Sequence, residues 1–120
     1  MNNPIIALLG NPNVGKTSLF NRITKLNQKV GNYPGITVEK REGQVKANNK
    51  TYRIIDLPGT YTLFPSSMDE EVVFNTLVNK ENSFRPNLVV VVAEPTNLKR
   101  SIILYQQARE LGLPAIFVIN

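Results

Sequence analysis

The sequence predicts an α/β, three-layer fold with a mostly parallel sheet and one antiparallel edge strand. Three observations carry that prediction. Short continuous apolar runs stand at 5–9 (IIALL), 88–93 (LVVVVA) and 115–119 (AIFVI). Runs without polar alternation belong to strands covered on both faces, the situation of a parallel sheet between helices. Between them lie stretches of helical period, so strand and helix alternate along the chain. Two strand-like segments also meet around Asn48-Asn49, which marks a hairpin and therefore one antiparallel strand.

The elements follow in order. Residues 5–9 form the first buried strand. From Gly15 a helix is expected, with Leu19, Ile23 and Leu26 at i, i+4 and i+7 and Phe20 widening the stripe. Residues 27–36 hold Gly31, Pro34 and Gly35 without any period, and are expected as an exposed loop. Residues 38–47 and 51–57 form the hairpin; the first is polar and charged, as suits an edge, and the second ends in Ile54-Ile55. Pro58-Gly59 breaks the chain. Ser67-Met68-Asp69-Glu70 then offers a capping box before a helix carrying Val72, Val73, Phe74, Leu77 and Val78. Residues 88–93 are a second buried strand. A helix from about Asn97 is expected to turn Leu98, Ile102, Tyr105 and Ala108 inward, until Gly112 and Pro114 stop it. Residues 115–119 form the last strand.

The chain of 120 residues, 42% apolar, has material for one packed core. No apolar run reaches the ~18 residues of a membrane helix, and the N-terminus lacks the basic and apolar regions of a secretory signal. It contains neither Cys nor His, so disulfides, thiolate sites and imidazole ligands are excluded. A metal here is held by oxygen, which points to a hard cation. The net charge of +5 is scattered, with Lys40-Arg41, Lys46 and Lys50 on the hairpin, where lysines protect an exposed strand edge. It is read as a solvated surface, and no nucleic-acid partner is expected.

In an open α/β sheet, ligands sit outside the carboxyl ends of the strands. Gly10-Asn11-Pro12-Asn13, Asp56-Leu57-Pro58-Gly59 and Asn120 fall at those ends. Gly10 to Thr17 fits G-x-x-x-x-G-K-[ST], the phosphate loop of P-loop nucleoside triphosphatases. Its glycines let backbone N–H groups converge on phosphate oxygens, and the helix that follows adds the positive end of its dipole. Gly10, Asn11, Pro12, Asn13, Val14, Gly15, Lys16, Thr17 and Ser18 are the candidate phosphate-binding residues. Lys16 reaches the β- and γ-phosphates, and the Thr17 hydroxyl ligates Mg²⁺. Asp56 ends a buried strand and is placed to hold Mg²⁺, while the Gly59 N–H meets the γ-phosphate. Thr37 closes a glycine-rich loop and can complete the Mg²⁺ shell. Lys16, Thr37 and Gly59 are the candidate catalytic residues. Thr60 follows Gly59, where many small GTPases place a glutamine that orients the attacking water.

Four stretches together, GNPNVGKT at 10–17, VGNYPGITVEK at 30–40, DLPGTY at 56–61 and SSMDEE at 66–71, resemble the GTP-binding domain of the prokaryotic ferrous iron transport protein B family. The resemblance covers nearly the whole chain and is most specific at 31–40. It implies a small-GTPase-like fold and a GTP-to-GDP switch, slow and potassium-stimulated. Thr37 is by resemblance the switch I threonine, with Gly35 and Ile36 in the segment that wraps the nucleotide. Asp56, Leu57, Pro58 and Gly59 correspond to the third guanine-nucleotide motif, and Asn120 to the first residue of N-x-x-D. Asn13 is implied as a ligand of a K⁺ ion that does the work of an arginine finger. Where the family reads Asp-Ala-Thr-Asn-Leu-x-Arg-Asn, this chain has Glu94-Pro95-Thr96-Asn97-Leu98-Lys99-Arg100-Ser101. In the family the GTPase domain precedes a helical regulatory region and a membrane permease. Residues 1–120 are therefore expected to be a partial domain that ends inside the fourth motif, without the last strand and helix, and with weak guanine selectivity. The same resemblance implies a place at the cytoplasmic face of the inner membrane for the full-length protein, a soluble fragment, and no iron site of its own. A ribosome-assembly, RNA-associated GTPase and a P-loop ATPase are the alternatives.

Overall fold

The computed structural model describes residues 3–12, 15–25, 28–64 and 67–120, with Asn97 as backbone alone. Asn13, Val14 and Leu26 lie outside the described residues. Along the chain come β1 (Ile5–Gly10), α1 (Lys16–Thr24), β2 (Gln28–Asn32), β3 (Glu39–Ala47), β4 (Lys50–Asp56), α2 (Met68–Val78), β5 (Leu88–Ala93), a 3-10 turn (Pro95–Asn97), α3 (Leu98–Glu110) and β6 (Ala115–Ile119).

The strands make one sheet in the order β2-β3-β4-β1-β5-β6. β1 is central, parallel to β4 on one side and to β5 on the other, and β5 is parallel to β6. β3 runs against both of its neighbours. Phe20 of α1 packs with Leu8 and Ile54 on one face of the sheet. Val73 and Leu77 of α2, with Leu104 and Ala108 of α3, pack on Ala7, Leu9, Ile55, Val89 and Val91 on the other. Three layers result, as the apolar runs predicted.

Two expectations need correction. Residues 27–36 are not all loop, because β2 pairs with β3 from Gln28↔Gly43 to Asn32↔Glu39. Nearly all of β2 is exposed, Val30 at 61%, so no buried face imposes an apolar alternation on it. β3 accordingly lies one place in from the edge, and Lys40 and Arg41 have local partners instead of guarding an open strand. Arg41 pairs with Glu39 at 2.7 Å, and the Lys40 ammonium stands 4.0 Å from the Phe84 ring centre. The second correction concerns α3, whose buried stripe is Ser101, Leu104 and Ala108, while Ile102 and Ile103 are exposed. A serine in the stripe rotates the true face away from the one that counting apolar residues selects.

The turn between β3 and β4 is as predicted. Asn48 and Asn49 both take left-handed backbone, φ 52° and 64°, the geometry of a two-residue hairpin turn whose twist matches that of the strands. Because β1, β4, β5 and β6 are parallel, their carboxyl ends fall along one rim. Gly10, Asp56, Ala93 and Ile119 all end there.

Candidate functional site

The rim is built around the start of α1. Gly15 caps the helix with φ 78°, in the left-handed region that suits glycine, and makes no side-chain cap. The first turn of α1 holds no acidic residue. The backbone N–H groups at this end are therefore left open towards an anion. The contrast with α2 is informative. There Ser67 Oγ accepts from the Glu70 N–H at 3.2 Å, and Asp69, Glu70 and Glu71 crowd the first turn. That helix satisfies its own positive end, whereas α1 offers its end to a ligand.

Asp56, at the end of β4, meets this opening. The Lys16 ammonium and the Thr17 hydroxyl both donate to its carboxylate, Lys16 to Oδ1 and Thr17 to Oδ2, the latter at 3.1 Å. Lys16 and Asp56 are 7% and 6% exposed. A buried ion pair of this kind keeps a lysine charge desolvated and aimed. The donor set also suits a hard cation, because a hydroxyl and a carboxylate oxygen converge beside the helix start. Magnesium bound at Thr17 and Asp56 would supply charge neutralisation.

The 57–60 segment is stitched to the end of β1. The Leu57 N–H donates to the Leu8 carbonyl at 3.1 Å, and the Thr60 N–H to the Gly10 carbonyl at 2.9 Å. A Cβ placed on Gly59 would stand 2.9 Å from Pro12 Cα, so the two loops touch through a glycine that no larger residue replaces without a shift. Asn120 closes the rim. Its N–H donates to the Ala93 carbonyl at 2.7 Å, and its Nδ2 lies 3.3 Å from where a Gly15 Cβ would be.

Two adjoining clefts result. One, of about 490 Å³, is floored by Asn11, Pro12 and residues 15–18 and walled by Gly59 and Asp69. The other, of about 250 Å³, has Lys16, Thr17 and Asp56 facing Glu39, Arg41, Pro58 and Gly59. Leu57 is buried behind it. The structure thus brings together Gly10, Asn11, Pro12, Gly15, Lys16, Thr17, Ser18, Asp56, Leu57, Pro58, Gly59 and Asn120. Asn13 and Val14 lie outside the described residues.

The switch I candidates stand apart. Thr37 is exposed and lines neither cleft. Ile36 lines a separate groove of about 650 Å³ between the 33–36 turn and α2. That turn places Gly35 at φ 75°, with the Ile36 N–H on the Tyr33 carbonyl at 3.2 Å. Tyr33 is buried, and burial first, then the Asp56 and Glu42 carboxylates, push its phenol well above the ordinary value.

Sequence reasoning missed Asp69, Glu39 and Arg41 as cleft walls. Arg41 had a signal, since the hairpin register sets it opposite Asp56. Asp69 had none beyond its place in the first turn of the helix after the 57–64 segment.

A family model described as ferrous iron transport protein B matches residues 4–120. A fusion of Fe(2+) transport protein A with the Fe(2+) transporter FeoB from Porphyromonas gingivalis is 45% identical over 115 residues, covering 96% of this chain and 13% of the relative. The chain therefore spans a small part of that relative's length. The solved cytosolic domain of L. pneumophila FeoB superposes with a TM-score of 0.88 at 39% identity, over 97% of this chain and 45% of that one. The cytosolic domain of the T. maritima FeoB iron transporter in a GDP form gives 0.83 at 34% identity, over 98% of this chain and 57% of that one.

Proposed function

Because this chain belongs to the ferrous iron transport protein B family, we propose that it is a GTP-binding and GTP-hydrolysing switch that regulates ferrous iron uptake across the membrane. The observation that carries this is the buried Lys16–Asp56 ion pair, joined by the exposed Thr17 hydroxyl, at a helix start left open to an anion. A nucleoside triphosphate entering the 490 Å³ cleft offers Lys16 phosphate oxygens in exchange for the Asp56 carboxylate. The backbone of residues 15–18 then holds the β-phosphate, and Lys16 the bridge to the γ-phosphate. Thr17 and Asp56 would hold Mg²⁺, with Thr37 as a further ligand if the 33–37 segment closes, and the ion would neutralise phosphate charge; the Gly59 N–H meets the γ-phosphate. The Asn120 carboxamide beside Gly15 begins the contact to guanine.

The attacking water has no glutamine to orient it at position 60. The Thr60 hydroxyl donates to the Thr62 carbonyl at 2.7 Å and meets Glu70 at 3.1 Å. The resemblance supports a slow reaction with K⁺ at Asn13 offsetting the transition-state charge. Turnover in KCl against NaCl checks that part, and equal rates would reject it.

The chain is proposed to act at the cytoplasmic face of the membrane, within a longer protein that also carries a helical regulatory region and a permease. The relatives' names as Fe(2+) transporters and the neighbours' as cytosolic domains support that placement. No helix among the described residues is long and apolar enough to cross a membrane. With neither His nor Cys, the chain is assigned no iron site. The family match leaves the RNA-associated and ATPase alternatives without support.

The Lys16→Ala variant tests the assignment. It removes the charge aimed at the phosphates and leaves the Asp56 carboxylate to repel them. Affinity for a non-hydrolysable GTP analogue should fall about 100-fold or more by calorimetry. Unchanged affinity would overturn the site.

A further inference from the structure

Asn11 lends its backbone to the phosphate loop, but no step above uses its side chain. That side chain is wholly buried, and its Nδ2 donates to Ser101 Oγ at 3.3 Å. Ser101, also wholly buried, sits in the first turn of α3, far along the chain. The Asn11 Oδ1 has no donor among the described residues. A buried carbonyl oxygen without a donor is costly, and a leucine of similar size would fill the space without that cost. Packing alone therefore does not account for a carboxamide at this place.

A contact lies on either side of it. The Gly10 carbonyl accepts the Thr60 N–H, and Pro12 presses on Gly59. Asn11 sits between these two contacts, in the floor of the phosphate cleft. α3 therefore reaches the phosphate loop through one buried hydrogen bond, and it also meets the segment after Gly59 directly, where Gln107 accepts the Leu63 N–H. We propose that Asn11 and Ser101 form a strut that sets the phosphate loop and the Gly59 segment against α3, making Asn11 a positioning residue for nucleotide retention. This rests on the nucleotide-binding function proposed above. It also gives a role to Ser101, where the sequence departs from the family's usual asparagine.

The test follows release of a fluorescent GDP analogue from the wild-type chain, Ser101→Ala, Asn11→Ala and the double variant, with the melting of each nucleotide-free chain measured alongside. Loss of the strut should speed release about fivefold to tenfold in each single variant, with no further gain in the double. A contact that only stabilised the fold would lower the melting temperature and leave release unchanged. Unchanged release in Ser101→Ala, or effects that add in the double variant, overturns the strut. Should Asn11→Ala fail to fold, Ser101→Ala alone still decides, because alanine suits a helix interior. A wild-type chain that binds no GDP overturns the proposed function itself, an outcome distinct from wild-type binding with Ser101→Ala unchanged.

Discussion

The Tyr33 ring packs against Val38, Val72 and Ile36, with its hydroxyl buried and unpartnered among the described residues. An unsatisfied buried hydroxyl costs about 1–3 kcal/mol. Tyr33→Phe removes it while keeping the ring, and should stabilise the nucleotide-free chain by about 1 kcal/mol at pH 7. The pH dependence has a definite sign. Burial and the Asp56 and Glu42 carboxylates raise the folded-state pKa, so above about pH 10 the unfolded phenol ionises while the folded one keeps its proton. The folded state then binds more protons than the unfolded one, and stability falls as pH rises. The contribution is intact below the unfolded pKa and lost as pH climbs towards the folded value. Urea melts of wild type and Tyr33→Phe at pH 8 and pH 11 should show the gap between them widening. A constant gap would mean that the phenol titrates alike in both states.

At the scale of elements, local chemistry was legible and partnership was not. The candidate phosphate loop could be read because its motif lies within one short stretch between an apolar strand and a helix start, and Asp56 because it ends an apolar run. β1 and β5 showed as apolar runs since both of their faces are covered, whereas β6 carries the same pattern at the sheet edge with Ile116 and Ile119 exposed. β2 left no such trace: its pairing to β3 uses backbone groups, and after the half-buried Gln28 its side chains are all exposed. In α3 the apolar count chose Ile102 over Ser101, because a buried serine makes sense only when Asn11 is seen beside it. Arg41 and Asp69 reach the clefts through sheet register and the return of α2 over the rim, and both depend on contacts far apart in sequence. α3 also holds the segment after Gly59, where Gln107 Oε1 accepts the Leu63 N–H at 2.8 Å.

For the whole molecule, the layering divides a rigid part from a part free to respond. β1, β4 and β5 are buried between α1 on one side and α2 with α3 on the other. β3 is the only strand that pairs with β2, which is otherwise tied at its start by Gln28 to Asn21 and Thr24 of α1, and the 33–36 turn that follows packs only a small cluster around Tyr33. Thr37 lies outside both clefts, so a role at the γ-phosphate requires the 33–37 segment to move while the sheet stays still. Amide exchange reports such differences, since local opening needs less free energy where few apolar contacts hold the backbone. In the nucleotide-free chain, amides of β1 and β5 should exchange slowest and those of residues 28–38 much faster. A GTP analogue with Mg²⁺ should slow exchange at 33–39 and 57–64 and leave β1 and β5 as they were. GDP lacks the γ-phosphate that would draw Thr37 and Gly59 inward, so it should protect residues 15–18 and leave 33–39 fast. Equal protection of 33–39 by both nucleotides would show that this segment does not sense the γ-phosphate, and the switch would have to lie elsewhere in the chain.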